Sequence, residues 1–206
     1  MSVSSSKNNI LKKIRLALTH STPIPFPKSE GNSSPFQPLQ QDIVVEFAEQ
    51  FTQLQGKFDF CVDQAELLQH FETLCYQNGW SKIYCIDEKL RQLLPLSKWH
   101  HDIATCDIAI TPCEALVART GSLVLSAHTS GRVTSVYAPV HVCIAYTSQL
   151  VYDIKDALQL LKEKYKGNLP SFISLATGPS RTADIEKTLV VGVHGPKEVY
   201  VFLVDQ

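Results

Sequence analysis

The sequence predicts an α/β fold, a mixed, largely parallel sheet with flanking helices. Three observations carry this. From Asp42 onward, strand-like apolar runs alternate with helical stretches of about 10–15 residues, the rhythm of a parallel-sheet-rich domain. Between Asp107 and Tyr146 the rhythm breaks, and two or three strands follow with no helix between them, so part of the sheet is antiparallel or mixed. A hydrophobic content of 44% over 206 residues is enough for one core of ordinary size.

Ile10, Leu11, Ile14 and Leu18 recur at near-helical spacing with Lys12, Lys13 and Arg15 between them, a short basic amphipathic helix within residues 1–20. It suits docking on its own domain or on a neighbouring subunit. A membrane-surface or partner-binding role stays open, although the helix lacks the Trp or Phe anchors of an interfacial helix. Residues 21–41 carry five prolines, a glycine and several serines, and are expected to form an extended linker. The main domain is expected over 42–206.

Within it, DIVVEFAEQFTQL is helical, with Ile43, Phe47, Phe51 and Leu54 on one face. KFDFCV is a strand. DQAELLQHFETLCYQNG is a helix with Asp63 as N-cap and Gly79 as C-cap. KIYCI is a strand, DEKLRQLL a short helix closed by Pro95, and DIAI a short buried strand. SLVLSA and VHVCIAY are strands around the loop AHTSGRVTSVYAP. DIKDALQLLKEKYKG is a helix capped by Asp153, and SFISLA and EVYVFLVD are the last strands.

Nineteen basic and 20 acidic residues give a net charge of -1, with no electrostatic footprint for nucleic acid or an anionic membrane. The six cysteines form no CxxC pair, do not cluster with histidines at zinc-ligand spacings, and mostly lie in apolar runs. They fit free buried thiols in a reducing compartment better than a disulfide scaffold or an iron–sulfur site. No metal site and no cofactor bound by this chain are expected. The N-terminus has no run of seven or more apolar residues and nothing approaches a membrane span, so a soluble cytoplasmic protein is expected. GxGxxG, GxxxxGK[ST], HExxH and GxSxG are all absent.

Three stretches can carry chemistry. In TGPSRTADIE (177–186), Gly178 permits close backbone approach or positive φ, and Pro179 fixes its own φ. Ser180 and Thr182 suit the start of a helix, and Asp184 its first turn. Following a strand's carboxyl end, these amides and Arg181 form a candidate cradle for a carboxylate or phosphate. A capped turn in which Arg181 pairs with Asp184 or Glu186 accounts for the same residues. In VVGVHGPKEV, His194 sits beside Gly195, as a proton-transfer or substrate-contacting group or as a turn histidine. In ARTGSLVL, the turn Thr120, Gly121 and Ser122 supplies a second pocket wall or a β-bulge. His141 follows Pro139 at the start of a strand.

ARTGSLVL, YAPVHV, TGPSRTADIE and GVHGPKEVYVFLVD together resemble the LUD-domain family, whose small members include the lactate-utilization protein C group; the likeness covers roughly residues 40–206. The resemblance implies a fold like that of ribose-5-phosphate isomerase and the CoA transferases. It implies support for oxidation of L-lactate to pyruvate, as the cluster-free component beside iron–sulfur partner proteins. It implies ligand contacts from Thr120, Gly121, Ser122, Gly178, Pro179, Ser180, Arg181, Thr182 and Gly195, with His194, His141 and Asp184 as catalytic candidates. Sister sequences often carry Glu before the Thr-Gly pair. Arg119 stands there in this chain, with Glu114 the nearest carboxylate. A non-catalytic assembly or regulatory subunit is the alternative, as is a phosphate- or nucleotide-binding enzyme resembling 5-formyltetrahydrofolate cyclo-ligase. A homo-oligomer stays open.

Overall fold

The structure, a computed structural model, describes residues 3–19, 38–182 and 190–205. The chain divides into two units, residues 1–38 and 39–206. In the first unit, α1 (Val3–Leu18) begins earlier than the apolar spacing suggests, with Ile10, Leu11, Ile14 and Leu16 exposed. Most of the linker expected at 21–41 lies outside the described residues.

The second unit runs α2 (Ile43–Gln53), β1 (Lys57–Cys61), α3 (Gln64–Asn78), β2 (Ile83–Cys85), α4 (Glu88–Leu93), β3 (Ile108–Thr111), β4 (Ala115–Val117) and β5 (Ser122–Ser126). It continues with α5 (Thr134–Tyr137), β6 (Val140–Tyr146), β7 (Leu150–Val151), α6 (Ile154–Lys164), β8 (Ile173–Ala176), β9 (Arg181–Thr182), β10 (Val190–Val191) and β11 (Glu198–Val204). Aspartates start the helices by accepting from otherwise unpaired N–H groups: Asp42 from Val44, Asp63 from Glu66, Asp153 from Lys155. Gly79 ends α3 in the left-handed conformation expected of it.

Five strands form a wholly parallel sheet in the order β1-β11-β6-β3-β2. A second sheet, β7-β4-β5-β8, is mixed, with β5 antiparallel to both β4 and β8. It is built from the chain between β3 and β6 and between β6 and β11, which explains the break in rhythm. Strands β4, β7, β9 and β10 are two or three residues long, too short for the alternation that reveals a strand. Residues 181–182 are a further departure. They pair with 190–191 as an antiparallel ribbon instead of starting a helix.

Four layers result. Leu67, Phe71, Leu90 and Leu94 of the α3–α4 side pack on one face of the parallel sheet, against Val142, Ile144 and Phe202. On the other face, Cys143, Ala145, Val201 and Leu203 meet Leu116, Leu123 and Leu125 of the second sheet, with Phe47 and Phe51 of α2 in the same core. Ala157 and Leu161 of α6 cover the far side of the second sheet. Burying each large side chain contributes about 1.5–3 kcal/mol.

Two close contacts fix α2. Gly121 has φ +57, and a Cβ there would stand 2.5 Å from the Phe51 amide nitrogen; Gly178 has φ +73, and its Cβ would stand 2.5 Å from the Leu54 carbonyl oxygen. Both turns therefore lie against the helix backbone, where a side chain has no room. A buried charge fixes α6. The Glu114 side chain is 0% exposed and accepts from Lys164 Nζ at 2.7 Å, Tyr165 Oη at 2.7 Å and Ser126 Oγ at 2.5 Å. Burial pulls its pKa up, but the bonds from Lys164, Ser126 and Tyr165 outweigh burial and hold it below the usual carboxylate value.

Two predictions follow from these contacts. Gly121→Ala or Gly178→Ala should each cost about 2–5 kcal/mol by denaturant unfolding, from positive φ plus overpacking. Gly79→Ala and Gly167→Ala, also at positive φ but with open space around them, should cost only about 1–2 kcal/mol. Equal costs at all four would refute the close-approach account. Glu114→Gln should cost about 2–3 kcal/mol at pH 7. Because the folded pKa is depressed, this stability is present above the unfolded value of 4.5 and is lost as pH falls through the folded pKa. The gap between wild type and variant should therefore close in acid and persist at neutral pH.

Candidate functional site

The two glycine turns meet because β5 and β8 are antiparallel: Leu123 pairs with Ala176, which sets Ser122 opposite Thr177. Ser122 Oγ lies 2.8 Å from Thr177 Oγ1 and 2.7 Å from Thr120 Oγ1, a chain of three hydroxyls. Thr177 opens the motif yet was not among the candidates. The antiparallel pairing that brings it to Ser122 is long-range and leaves no local signal.

From there the chain turns at Gly178 onto the C-terminal end of α2. Arg181 donates from its guanidinium to the Leu54 carbonyl at 2.5 Å. Carbonyls at a helix C-terminus carry partial negative charge, and a guanidinium there is favourable. The Ser180 amide, expected to receive an anion, donates to the Pro196 carbonyl at 3.0 Å, and Gly192 donates back to the Ser180 carbonyl at 2.9 Å. Thr182 pairs with Val190. The cradle expected at Ser180 and Arg181 is thus occupied by the protein's own carbonyls. Asp184 lies outside the described residues.

These bonds bring the 178–182 segment against the His194 loop. A Cβ on Gly195 would approach the Ser180 Cβ to 2.8 Å, so Gly195 lets the two segments touch. His194 is exposed and lines a groove of about 480 Å³ with Val136, Tyr137, Pro139 and Lys197; Arg181 is not part of its lining. The groove borders the amino ends of β6 and β11, where the Lys197 backbone amide donates to the Pro139 carbonyl at 2.8 Å. The carboxyl end expected from TGPSRTADIE belongs to β8 in the second sheet, so the parallel-sheet rule does not apply to it.

His141 stands elsewhere. It lies in β6 between Ala109 of β3 and Val199 of β11, 1% exposed, with Nε2 2.8 Å from Thr111 Oγ1. Burial lowers its pKa to about 4, so it is neutral at pH 7. The strand start that holds His141 is enclosed by neighbours on both sides, which makes His141 a core histidine in this conformation. Arg119 is also committed. Its Nε donates to Asp153 Oδ2 at 2.6 Å, steadying the cap of α6. Glu114, buried among the donors Lys164, Tyr165, Ser126 and Thr129, is not among the residues lining the His194 groove.

Comparison with known proteins connects this arrangement to a family. The model of the LUD domain matches residues 86–204. Lactate utilization protein C of Bacillus licheniformis is 38% identical over 104 residues, 48% of this chain and 43% of that protein. An uncharacterised protein of Neisseria meningitidis is 32% identical over 111 residues, 53% of this chain and 47% of that one. The chain spans about half the length of the curated relatives it matches. The crystal structure of a DUF162 family protein from Deinococcus radiodurans superposes with a TM-score of 0.56 at 16% identity, covering 79% of this chain and 96% of that one, a likeness of fold. Since both glycine turns and the His194 loop fall inside a match that takes in more than half of its residues, this chain belongs to the LUD-domain family.

Proposed function

We propose that this protein serves lactate utilization. In this reading it is the cluster-free component of a complex that oxidises L-lactate to pyruvate, and it binds a small carboxylate or phosphate in the His194 groove. The observation that carries the reading is the similarity, at 36–38% identity, to lactate utilization protein C of several Bacillus-type organisms. The groove suits such a ligand. Lys197 supplies a positive charge, His194 an imidazole able to move a proton, and Val136, Tyr137 and Pro139 an apolar wall.

Arg181 then acts as a positioning residue. By holding the end of α2 it keeps Ser180, and through Ser180 the Pro196 carbonyl and the His194 loop, in place. Oxidation of lactate to pyruvate releases two electrons and two protons. His194 would take the hydroxyl proton, and the Cα hydrogen would leave with its electron pair to an acceptor carried by the partner proteins, whose iron–sulfur clusters would carry the two electrons onward.

A thermal-shift screen against lactate, pyruvate, sugar phosphates, ATP and folates tests the ligand class. A ligand at 100 times its Kd should stabilise by about 2.7 kcal/mol, a shift of several degrees. The shift should vanish in Lys197→Ala. In a lactate-oxidation assay reconstituted with partner proteins, His194→Asn should lower the rate by about 10²-fold or more with no loss of stability. A response only to ATP or folates would point to a nucleotide- or folate-binding enzyme. No response to any compound, with full activity in His194→Asn, would leave only an assembly role.

A further inference from the structure

On the opposite face of the parallel sheet, at the far end of β11 from the His194 groove, three side chains of different chemistry converge. Asp59 and Cys61 are alternate residues of β1, so both project from the same face of the sheet, toward α3. His70 comes from α3, one residue before the buried Phe71. Its Nδ1 lies 3.0 Å from Asp59 Oδ2 and 4.0 Å from Cys61 Sγ, and the three candidate donor atoms all lie within 4.8 Å of one another.

We propose that Asp59, Cys61 and His70 form a binding site for a thiophilic divalent metal ion of the zinc class. Tetrahedral zinc with Zn–S of about 2.3 Å and Zn–N and Zn–O of about 2.0–2.2 Å sets its ligand atoms about 3.3–3.6 Å apart. The observed 3.0 and 4.0 Å lie on either side of that spacing and the third pair lies within 4.8 Å, so side-chain rotations that draw Cys61 and Asp59 together close the site. One sulfur, one imidazole and one carboxylate select zinc-like ions over calcium or magnesium, which take oxygen ligands.

The surroundings fit. On the far side of the ring, His70 Nε2 faces Glu66 Oε1 at 3.7 Å. Glu66 is itself held by accepting the Val62 amide at 2.7 Å through its other oxygen. At 3.7 Å this carboxylate is just beyond hydrogen-bond length, and a small approach would give the support that orients a ligating histidine and raises its basicity. Burial, together with the negative charges of Asp59, Glu66 and Asp63, pushes the Cys61 thiol up to about 12, so a metal bound there must displace the thiol proton. Lys57, on the same strand face, has its ammonium bound to Glu198 at 2.9 Å and to the Tyr200 hydroxyl at 2.7 Å. Asp59 and His70 also line a groove of about 410 Å³ between β1 and α3, which gives the ion an entry path and a fourth coordination position for water or an exchangeable ligand.

The spacing rule in sequence missed this site because two ligands lie on a strand and the third two turns into the next helix. Neither α2 nor the His194 groove contributes to it, so it stands or falls apart from the lactate-utilization reading.

The test uses the full chain, freed of metal, titrated with Zn²⁺ by calorimetry and with Co²⁺ by absorbance. One ion per chain is expected. The Co²⁺ complex should show a thiolate-to-metal charge-transfer band that Cys61→Ser abolishes. His70→Asn and Asp59→Asn, both at partly exposed positions and checked for unchanged unfolding, should each weaken binding by 100-fold or more. Glu66→Gln should weaken it about 10–100-fold. Absence of one-to-one binding, a Co²⁺ spectrum without a thiolate band, or undiminished affinity in His70→Asn and Asp59→Asn would each overturn the proposal.

Discussion

The closeness of two turns to one short helix is the constraint from which the rest of the second unit follows. Gly121 and Gly178 come against the backbone of α2 from two different strand ends of the second sheet. That contact clamps α2 beside the second sheet while Phe47 and Phe51 reach into the core shared with the parallel sheet. Arg181 completes the clamp by neutralising the helix end. The clamp also fixes Ser180, and the reciprocal bonds to Pro196 and Gly192 transmit that position to the loop bearing His194. The motif that looked like a ligand cradle is therefore in large part a joint. The surface it presents lies one loop further on.

How much of this was legible in the sequence depended on range. The caps at Asp63, Gly79 and Asp153 were legible because capping is decided within a turn of the helix. The parallel core was legible from the alternation of apolar strands with helices. Gly178 could be read as a position of positive φ or close approach, and it is both. What it approaches, residue 54, could not be read, since nothing local links the two. The same limit hid the burial of His141. A histidine just after a proline reads as a strand start and carries no sign of which strands will flank it, yet β3 and β11 lie on both sides. Asp59, Cys61 and His70 were invisible for a further reason. A strand repeats every two residues and a helix every 3.6, so ligands shared between them follow neither period.

The family membership and the geometry bear on different questions. Membership rests on residues 86–204, and so includes the glycine turns and the His194 groove. It includes neither β1 nor α3, where the three-ligand cluster lies. The groove flanks the amino ends of β6 and β11, whereas Cys61 pairs with Val204 at the carboxyl end of β11. The length of a seven-residue strand, about 20 Å, separates the two regions. Chemistry at one does not require chemistry at the other.

The place of β11 in the parallel sheet sets an order of assembly. It is the last described strand in sequence, yet it lies between β1 and β6 with neighbours on both sides. Until residues 198–204 leave the ribosome, β1 has no partner strand and β6 presents an unpaired, apolar edge. Helices and the β4–β5 hairpin can form as they emerge, but the two halves of the sheet are joined only by the final insertion. Such non-local pairing is slow to find, and its unpaired edges are the segments open to wrong partners meanwhile. The nascent chain therefore passes through a stage in which β2, β3 and β6 are already paired, β1 stands apart, and the strand that joins them has yet to emerge.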